Sequence, residues 1–286
     1  MSQAVPATSR VWPEFARSWL LLNATRLHTV EDAQRSAVDQ VILDLEDAVA
    51  PQHKPEARED VARWLEHEVA WVRINDYSTS SWRDDVEHLK NLPGLTGVVL
   101  AKTESADQVE STFDRLGGAT PVIALIESAI GIEEAPRIAS ARGVFRLAFG
   151  SGDYRRDTGT SDNDLAMAYP RSRLVVASRL GSLPGPIDGP ALGGNRRVLR
   201  KRTTTAVGLG LTGKLCLDAT QAPIINETIS PSPSEAAWAK EFLAEFEARG
   251  GAIRDGSDLP LLKRAQKIGR LSAVFNAGPS GQQTEQ

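Results

Sequence analysis

VILDLEDAVAPQHKPEAR, from Val41 to Arg58, is the stretch from which the rest of the chain can be read. An apolar run of strand length ends in three carboxylates, Asp44, Glu46 and Asp47, and a helix-like segment carrying Lys54 and Arg58 follows. Side chains alternate faces along a strand, so Asp44 and Glu46 share one face while Leu43 and Leu45 share the other. Acids crowded onto one face repel each other and lose solvation, which is costly unless a cation or a basic partner answers them. A strand that runs into a helix is the unit of a parallel α/β sheet, where ligands collect at the carboxyl ends of the strands. These acids are therefore a candidate site. The residues alone also allow a plain strand end, facing water and paired with Lys54 and Arg58.

The same unit recurs on both sides. Short apolar runs at Ser18–Asn23, Gln40–Leu45, Ala70–Asn75, Gly97–Ala101, Pro121–Ile126, Phe145–Phe149, Ser182–Ile187 and Gly213–Leu217 alternate with helix-like segments. Among those segments are Lys54–Glu68, Ser81–Asn91, Ser105–Leu116 and Asn163–Arg179. Eight β/α units predict an α/β fold of the (β/α)8 TIM-barrel type. The seventh run is the least regular, because Leu183-Pro-Gly-Pro186 is rich in turn formers. The expected organisation is an N-terminal segment over 1–16, the barrel over 17–230, a C-terminal helical extension over 231–276 and a disordered tail over 277–286. In the extension, Pro231-Ser-Pro-Ser234 introduces a helix over Glu235–Arg249, Gly250-Gly251 ends it, and a last helix covers Leu261–Gly269.

Composition narrows the function. The 286 residues are 41% hydrophobic and 24% charged with a formal net charge of -4, which suits a globular enzyme and argues against nucleic acid as a partner. The densest basic run, Arg196–Arg202, reads as a solvated helix face. Cys216 is the only cysteine, so no intrachain disulfide can form, and no apolar run approaches the length of a membrane span. A cytoplasmic protein is expected. Histidine, cysteine and methionine are scarce, so any metal here would be hard and oxygen-ligated.

In a barrel, the residues just past each strand form one mouth. They are Asp44 and Glu46 after the second strand, Arg73 and Asn75 on the third, Lys102 and Glu104 after the fourth, Glu127 after the fifth, and Asp153 after the sixth through Gly150-Ser-Gly152. A Glu and an Asp from adjacent strands can hold Mg²⁺ and leave positions open for water or substrate oxygens. Arg73 offers a planar fork suited to a carboxylate. Each residue also has a structural reading: Glu127 as a helix N-terminal acid, Asp153 as a turn residue, Arg73 as the partner of Asp44 and Glu46, and Lys102 as a counter-ion.

These residues carry a resemblance. Arg17-Ser-Trp-Leu, ILDLEDAV with Lys54, Ala57 and Arg58, Val72-Arg-Ile-Asn75 and Ala101-Lys-Thr-Glu-Ser105 follow one another in the order of a known family. So do Ala124-Leu-Ile-Glu-Ser128 with Gly131, Phe149-Gly-Ser-Gly-Asp153, Gly213-Lys214 and Ser230-Pro-Ser-Pro233. Over about residues 17–270 the chain resembles the family of the citrate lyase beta subunit, malyl-CoA lyase and citramalyl-CoA lyase. The resemblance implies a TIM barrel whose C-terminal extension packs on a neighbouring subunit, in a homotrimer. It implies Mg²⁺ on Glu127 and Asp153, the substrate's carboxylate or carbonyl end at Arg73, and Asp44 and Glu46 around the metal-bound waters. Lys102, Gly150 and Asp153 would complete the substrate site. Asp258, in Asp255-Gly-Ser-Asp-Leu-Pro260, would be an acid/base delivered to the next subunit.

Two stretches depart from the family pattern. Leu217-Asp-Ala-Thr-Gln221 stands where the family reads Ile-His-Pro-x-Gln, and Leu20–Arg26 where it reads Phe-Val-Pro-Gly. Both lie at the family's CoA end. The implied activity is Mg²⁺-dependent carbon–carbon cleavage, or the reverse condensation, of a 3-hydroxyacyl-CoA of the citryl, malyl or citramalyl type. Its partners would be a keto acid such as oxaloacetate, pyruvate or glyoxylate, and acetyl-CoA or another acyl-CoA. The alternatives are a metal-dependent aldolase acting on free 2-keto acids and a non-catalytic keto-acid-binding subunit.

Overall fold

The computed structural model describes residues 11–193 and 195–276. Eight parallel strands close into a barrel in chain order: β1 (Ser18–Asn23), β2 (Gln40–Asp44), β3 (Ala70–Ile74), β4 (Leu95–Leu100), β5 (Val122–Ile126), β6 (Val144–Phe149), β7 (Ile187–Asp188) and β8 (Gly213–Cys216). Helices α1 (Val30–Arg35), α2 (Lys54–Leu65), α3 (Ser80–Leu89), α4 (Ala106–Arg115), α5 (Ala129–Ile138), α6 (Ser151–Thr158), α7 (Ala168–Leu180), α8 (Arg196–Leu209) and α9 (Ala222–Ile229) follow the strands. The chain divides into two compact units at Ile225/Asn226, and α10 (Pro233–Ala248) and α11 (Asp258–Asn276) make up the second. The expected disordered tail and most of the N-terminal segment lie outside the described residues. No helix among the described residues is long and apolar enough to cross a membrane.

Strands β2 and β5 are buried along their whole length because the barrel interior lies on one face and the helices on the other. Trp19, Ile42, Trp71, Val99, Ile123, Leu125, Ala148, Ile187 and Leu215 form the interior core. Trp19 and Trp71 meet edge to face, with ring centroids 5.5 Å apart. The core ends in a buried cation: Arg146 donates to the carbonyls of Pro13, Ala16 and Gly185 and to Thr212 Oγ1. Among the described residues no carboxylate pairs with it there, and burial draws its pKa down to about 9.

Helix starts at the mouth are set by short polar caps. Thr79, Ser105 and Ser128 accept from the backbone N–H three residues on, at Trp82, Gln108 and Gly131. Each cap places the loop after β3, β4 and β5.

The seventh strand corrects the sequence reading. Ser182–Ile187 was the expected run, but pairing is confined to Ile187 and Asp188. Pro184 and Pro186 have no N–H to give a ladder, and Ser182 takes a left-handed φ of 56°. Charge holds this edge instead. Asp188 is fully buried and pairs with Arg171 of α7 at 2.8 Å and Lys214 of β8 at 2.6 Å, and both cations hold its carboxyl below the usual range against burial. The basic run over Arg196–Arg202 is, as expected, largely an exposed face of α8.

In the second unit, Ser232 and Glu235 form a reciprocal capping box at the start of α10. Ala239, Ala265 and Ile268 pack with Trp238, Phe242 and Leu243 between the two helices.

Candidate active site

Asp44 ends β2 and Arg73 lies on β3, paired in register. Arg73 gives Nε and Nη2 to the two oxygens of Asp44, at 2.7 and 2.6 Å. Its remaining Nη1 lies 3.2 Å from Glu46. Asp44 also accepts the backbone N–H of Glu46 and of Ala48, so each of its oxygens takes two donors. The fork of Arg73 is thus filled by Asp44, the structural reading the residues allowed. Burial opposes the charge on Arg73, but Asp44 and Glu46 outweigh it and raise its pKa.

Lys102 continues the line of charge. Its Nζ is 3.5 Å from Glu46, and its backbone takes a left-handed φ of 48° two residues after the end of β4. Such a conformation costs about 1–3 kcal/mol in a non-glycine residue and is held only where the surroundings demand it. Here it turns the Lys102 N–H onto Glu127 Oε1 at 2.9 Å. Partial burial disfavours the ammonium charge, yet the carboxylates of Glu46, Asp47, Glu127 and Asp153 raise its pKa. Burial likewise pushes the Glu46 carboxyl up, helped by Asp47 and opposed by Arg73 and Lys102.

Glu127 follows β5 and is 5% exposed. Apart from the Lys102 N–H, no hydrogen bond among the described residues reaches its carboxylate. Burial therefore drives its pKa up to about 8, with Glu46 and Asp153 adding to the rise. Asp153, in the first turn of α6, shares the same cavity and pairs with the exposed Arg156 at 3.1 Å. Gly150 lies against Glu127 and has no Cβ to displace it.

The cavity measures about 290 Å³. Lys102, Glu127 and Asp153, expected from the sequence, line it together with Glu104. Arg73, Asp44 and Glu46, also expected there, do not line it; Glu46 touches the lining residue Lys102 at 3.5 Å. Asp76, Ser78, Gln108, Ser128, Arg156 and Asp157 also line it and were not foreseen. Of these, Ser128 stands in the quoted Ile-Glu-Ser motif and could have been found there. Asp258, expected as an acid/base for the next subunit, is not among the residues that line this cavity. It is buried in the second unit, accepting from the Arg254 N–H at 2.7 Å and from Arg254 and Arg249 Nη2 at 3.1 Å each. These arginines hold its carboxyl well below the usual range.

Glu127 and Asp153 fit a hard divalent cation. Glu127 is a buried carboxylate short of positive charge, and the cavity offers oxygen donors with no histidine or cysteine. Among the described residues no group of three or more such side chains forms a closed cage. Two carboxylates with open positions suit a small cation that keeps its waters.

Fold and site together define a class: a (β/α)8 barrel with carboxylates, an arginine and a lysine gathered at the carboxyl ends of its second to sixth strands. The chain belongs to the HpcH/HpaI aldolase/citrate lyase family, whose model matches residues 17–219, and residues 234–276 match the HpcH/HpaI aldolase C-terminal domain. A citrate lyase subunit beta-like protein of Deinococcus radiodurans is 30% identical, covering 90% of this chain and 97% of the relative. Human mitochondrial citramalyl-CoA lyase is 29% identical, over 82% of this chain and 79% of its own. Among solved structures, CitE from Mycobacterium tuberculosis in complex with magnesium, acetoacetate and coenzyme A superposes with a TM-score of 0.75. It is 29% identical and covers 91% of this chain and 99% of its own.

Proposed function

We propose that the chain is a Mg²⁺-dependent carbon–carbon lyase. It cleaves a 3-hydroxyacyl-CoA of the citryl, malyl or citramalyl type into a keto acid and an acyl-CoA, or runs the reverse condensation. The observation that carries the reading is the Glu127–Asp153 pair, two carboxylates of adjacent β/α units facing one cavity. The lyase relatives, and the magnesium and coenzyme A bound by CitE, support the class.

Glu127 and Asp153 would hold the Mg²⁺, which when bound supplies Lewis-acid stabilisation of negative charge on a substrate oxygen. Arg73, kept in place by Asp44, would contribute fixed positive charge towards the substrate carboxylate. Glu46, ion-paired with Arg73 and Lys102, would receive the substrate's hydroxyl proton. As that proton leaves, the hydroxyl carbon becomes a keto carbon, the C–C bond breaks, and its electron pair passes to the thioester enolate. The enolate then takes a proton at carbon. For that step the reading assigns Asp258 of a neighbouring copy in a trimer, a role that requires its bonds to Arg249 and Arg254 to open.

One assay tests the reading: formation of acetyl-CoA and keto acid from citramalyl-, malyl- and citryl-CoA, with Mg²⁺ and with chelator. Mg²⁺-dependent cleavage of one thioester is expected, and its loss in Glu127→Gln. Failure on all three with intact Mg²⁺ binding would overturn it. The free 2-keto-acid aldolase stays as a second reading because of Asp218, which puts a carboxylate in the departing Leu217–Gln221 stretch and caps Thr220 with it. Absence of acetyl-CoA binding, with turnover of free hydroxy acids, would favour that aldolase.

A further inference from the structure

We propose that Gln108 and Glu104 select the tail of the keto acid, and that the tail they select is neutral and hydroxylated rather than a second carboxylate. The inference rests on the reading that a keto acid is held at Glu127 and Asp153, and within that reading it favours a citramalyl-type thioester with a hydroxylated tail over the citryl type, whose keto acid is oxaloacetate.

Gln108 is the third residue of α4, and its side chain turns back to the helix start. Its Oε1 lies 2.7 Å from the backbone N–H of Glu104. That partner can only donate, so the amide oxygen must face it and the amide orientation is settled by chemistry. The NH₂ group is left with no partner among the described residues, on a side chain that lines the cavity. Capping explains the oxygen of Gln108; the amine is spare.

Glu104 supplies the complement. Ser128 Oγ accepts the Gly131 N–H and so donates its own hydrogen to Glu104 Oε1, at 2.5 Å. This bond pins the Glu104 carboxylate beside the residue that follows Glu127 and leaves its other oxygen to accept. A hydroxyl both accepts and donates, and it satisfies Gln108 and Glu104 together.

Charge excludes the alternative tail. In the metal-free chain the two cations lining the cavity are each paired, Lys102 with Glu46 and Arg156, largely exposed, with Asp153. Asp76, Glu104 and Asp157 line it with no ion pair among the described residues. A second carboxylate would meet the like charge of Asp76, Glu104 and Asp157 on that wall, which outnumber Lys102 and Arg156 among the described lining residues.

Three 2-keto acids with one head and different tails test this by calorimetry on the full chain with Mg²⁺: pyruvate, hydroxypyruvate and oxaloacetate. Hydroxypyruvate is expected to bind about fivefold to tenfold more tightly than pyruvate, the effect of one or two net hydrogen bonds. Oxaloacetate should bind more weakly than pyruvate. Gln108→Leu should bring the hydroxypyruvate-to-pyruvate ratio to unity, and Glu104→Gln should narrow the penalty against oxaloacetate. A wild-type ratio of one, a hydroxyl preference that survives Gln108→Leu, or oxaloacetate binding tighter than pyruvate would each overturn the inference. The wild-type ranking decides by itself should the variants not fold. If no keto acid binds with Mg²⁺ present, the functional reading beneath it fails instead.

Discussion

Gly150 leaves the space that the Glu127 carboxylate occupies: a Cβ at position 150 would overlap both Oε2 and Cβ of Glu127. The glycine after β6 therefore sets the position of the acid after β5, and through it the distance to Asp153. Gly150→Ala is expected to push Glu127 aside and weaken Mg²⁺ binding about 10- to 100-fold, the range seen when a group that orients a metal ligand is lost. Calorimetric titration of Mg²⁺ into both proteins measures this. Equal affinities would show that Glu127 does not depend on Gly150 for its position.

Glu127 also makes the metal-free protein pH-sensitive. Its carboxyl titrates near 4.5 when unperturbed and is raised to about 8 in the folded chain by burial. Between those values the folded state holds a proton that the unfolded state has released. Stability is thus highest at and below about pH 4.5 as far as this group is concerned, and it falls as pH rises towards 8. The slope is at most about 1.4 kcal/mol per pH unit. Glu127→Gln should flatten this part of the profile, and added Mg²⁺ should stabilise the wild type most at the alkaline end. Chemical denaturation from pH 5 to 9 checks both, and parallel profiles for the two proteins would contradict the assignment.

Most of the barrel was legible because its strands are short apolar runs closed by polar caps, as at Ile123–Leu125 before Glu127 and Ser128. Strand β7 was not, since charge on Asp188, Arg171 and Lys214 replaces the apolar run that a sequence reading looks for. Strand-end position found Lys102, Glu127 and Asp153. Gln108, Arg156 and Asp157 escaped because they reach the cavity from helices, where only side-chain direction distinguishes a lining residue from a solvated one. Contacts within one strand-end cluster were equally hidden: the sequence allowed Arg73 to meet either a ligand or Asp44, and only geometry shows its fork already filled.

That filled fork makes Arg73 and Asp44 one functional unit. Arg73→Lys keeps the charge but cannot span both oxygens of Asp44. It is expected to lower turnover about 100-fold, comparable to losing one preorganised donor. Asp44→Asn should cost a similar factor, by freeing Arg73 to turn towards Glu46. The double variant should lose little more than either single one, because both remove the same arrangement. Steady-state kinetics on the four proteins measure the coupling, and strictly additive losses would show that the two residues act independently.

Asp258 has a role within its own unit that must be separated from any role in catalysis. Buried between Arg249 and Arg254, it joins the start of α11 to the turn before it, so Asp258→Asn should lower the melting temperature. Arg254→Ala loses part of the same bonding while keeping the carboxylate, and it is the control. If Asp258 serves a neighbouring copy as the acid, Asp258→Asn should lower turnover by about 10²- to 10⁴-fold, while Arg254→Ala retains activity. Keto-acid and Mg²⁺ affinities should stay close to wild type in both variants. Mixing Asp258→Asn with Glu127→Gln subunits should then restore part of the activity, since some pairs would join an intact metal site to an intact aspartate. No recovery despite demonstrated subunit exchange, or equal losses in Asp258→Asn and Arg254→Ala, would leave Asp258 with its structural role alone.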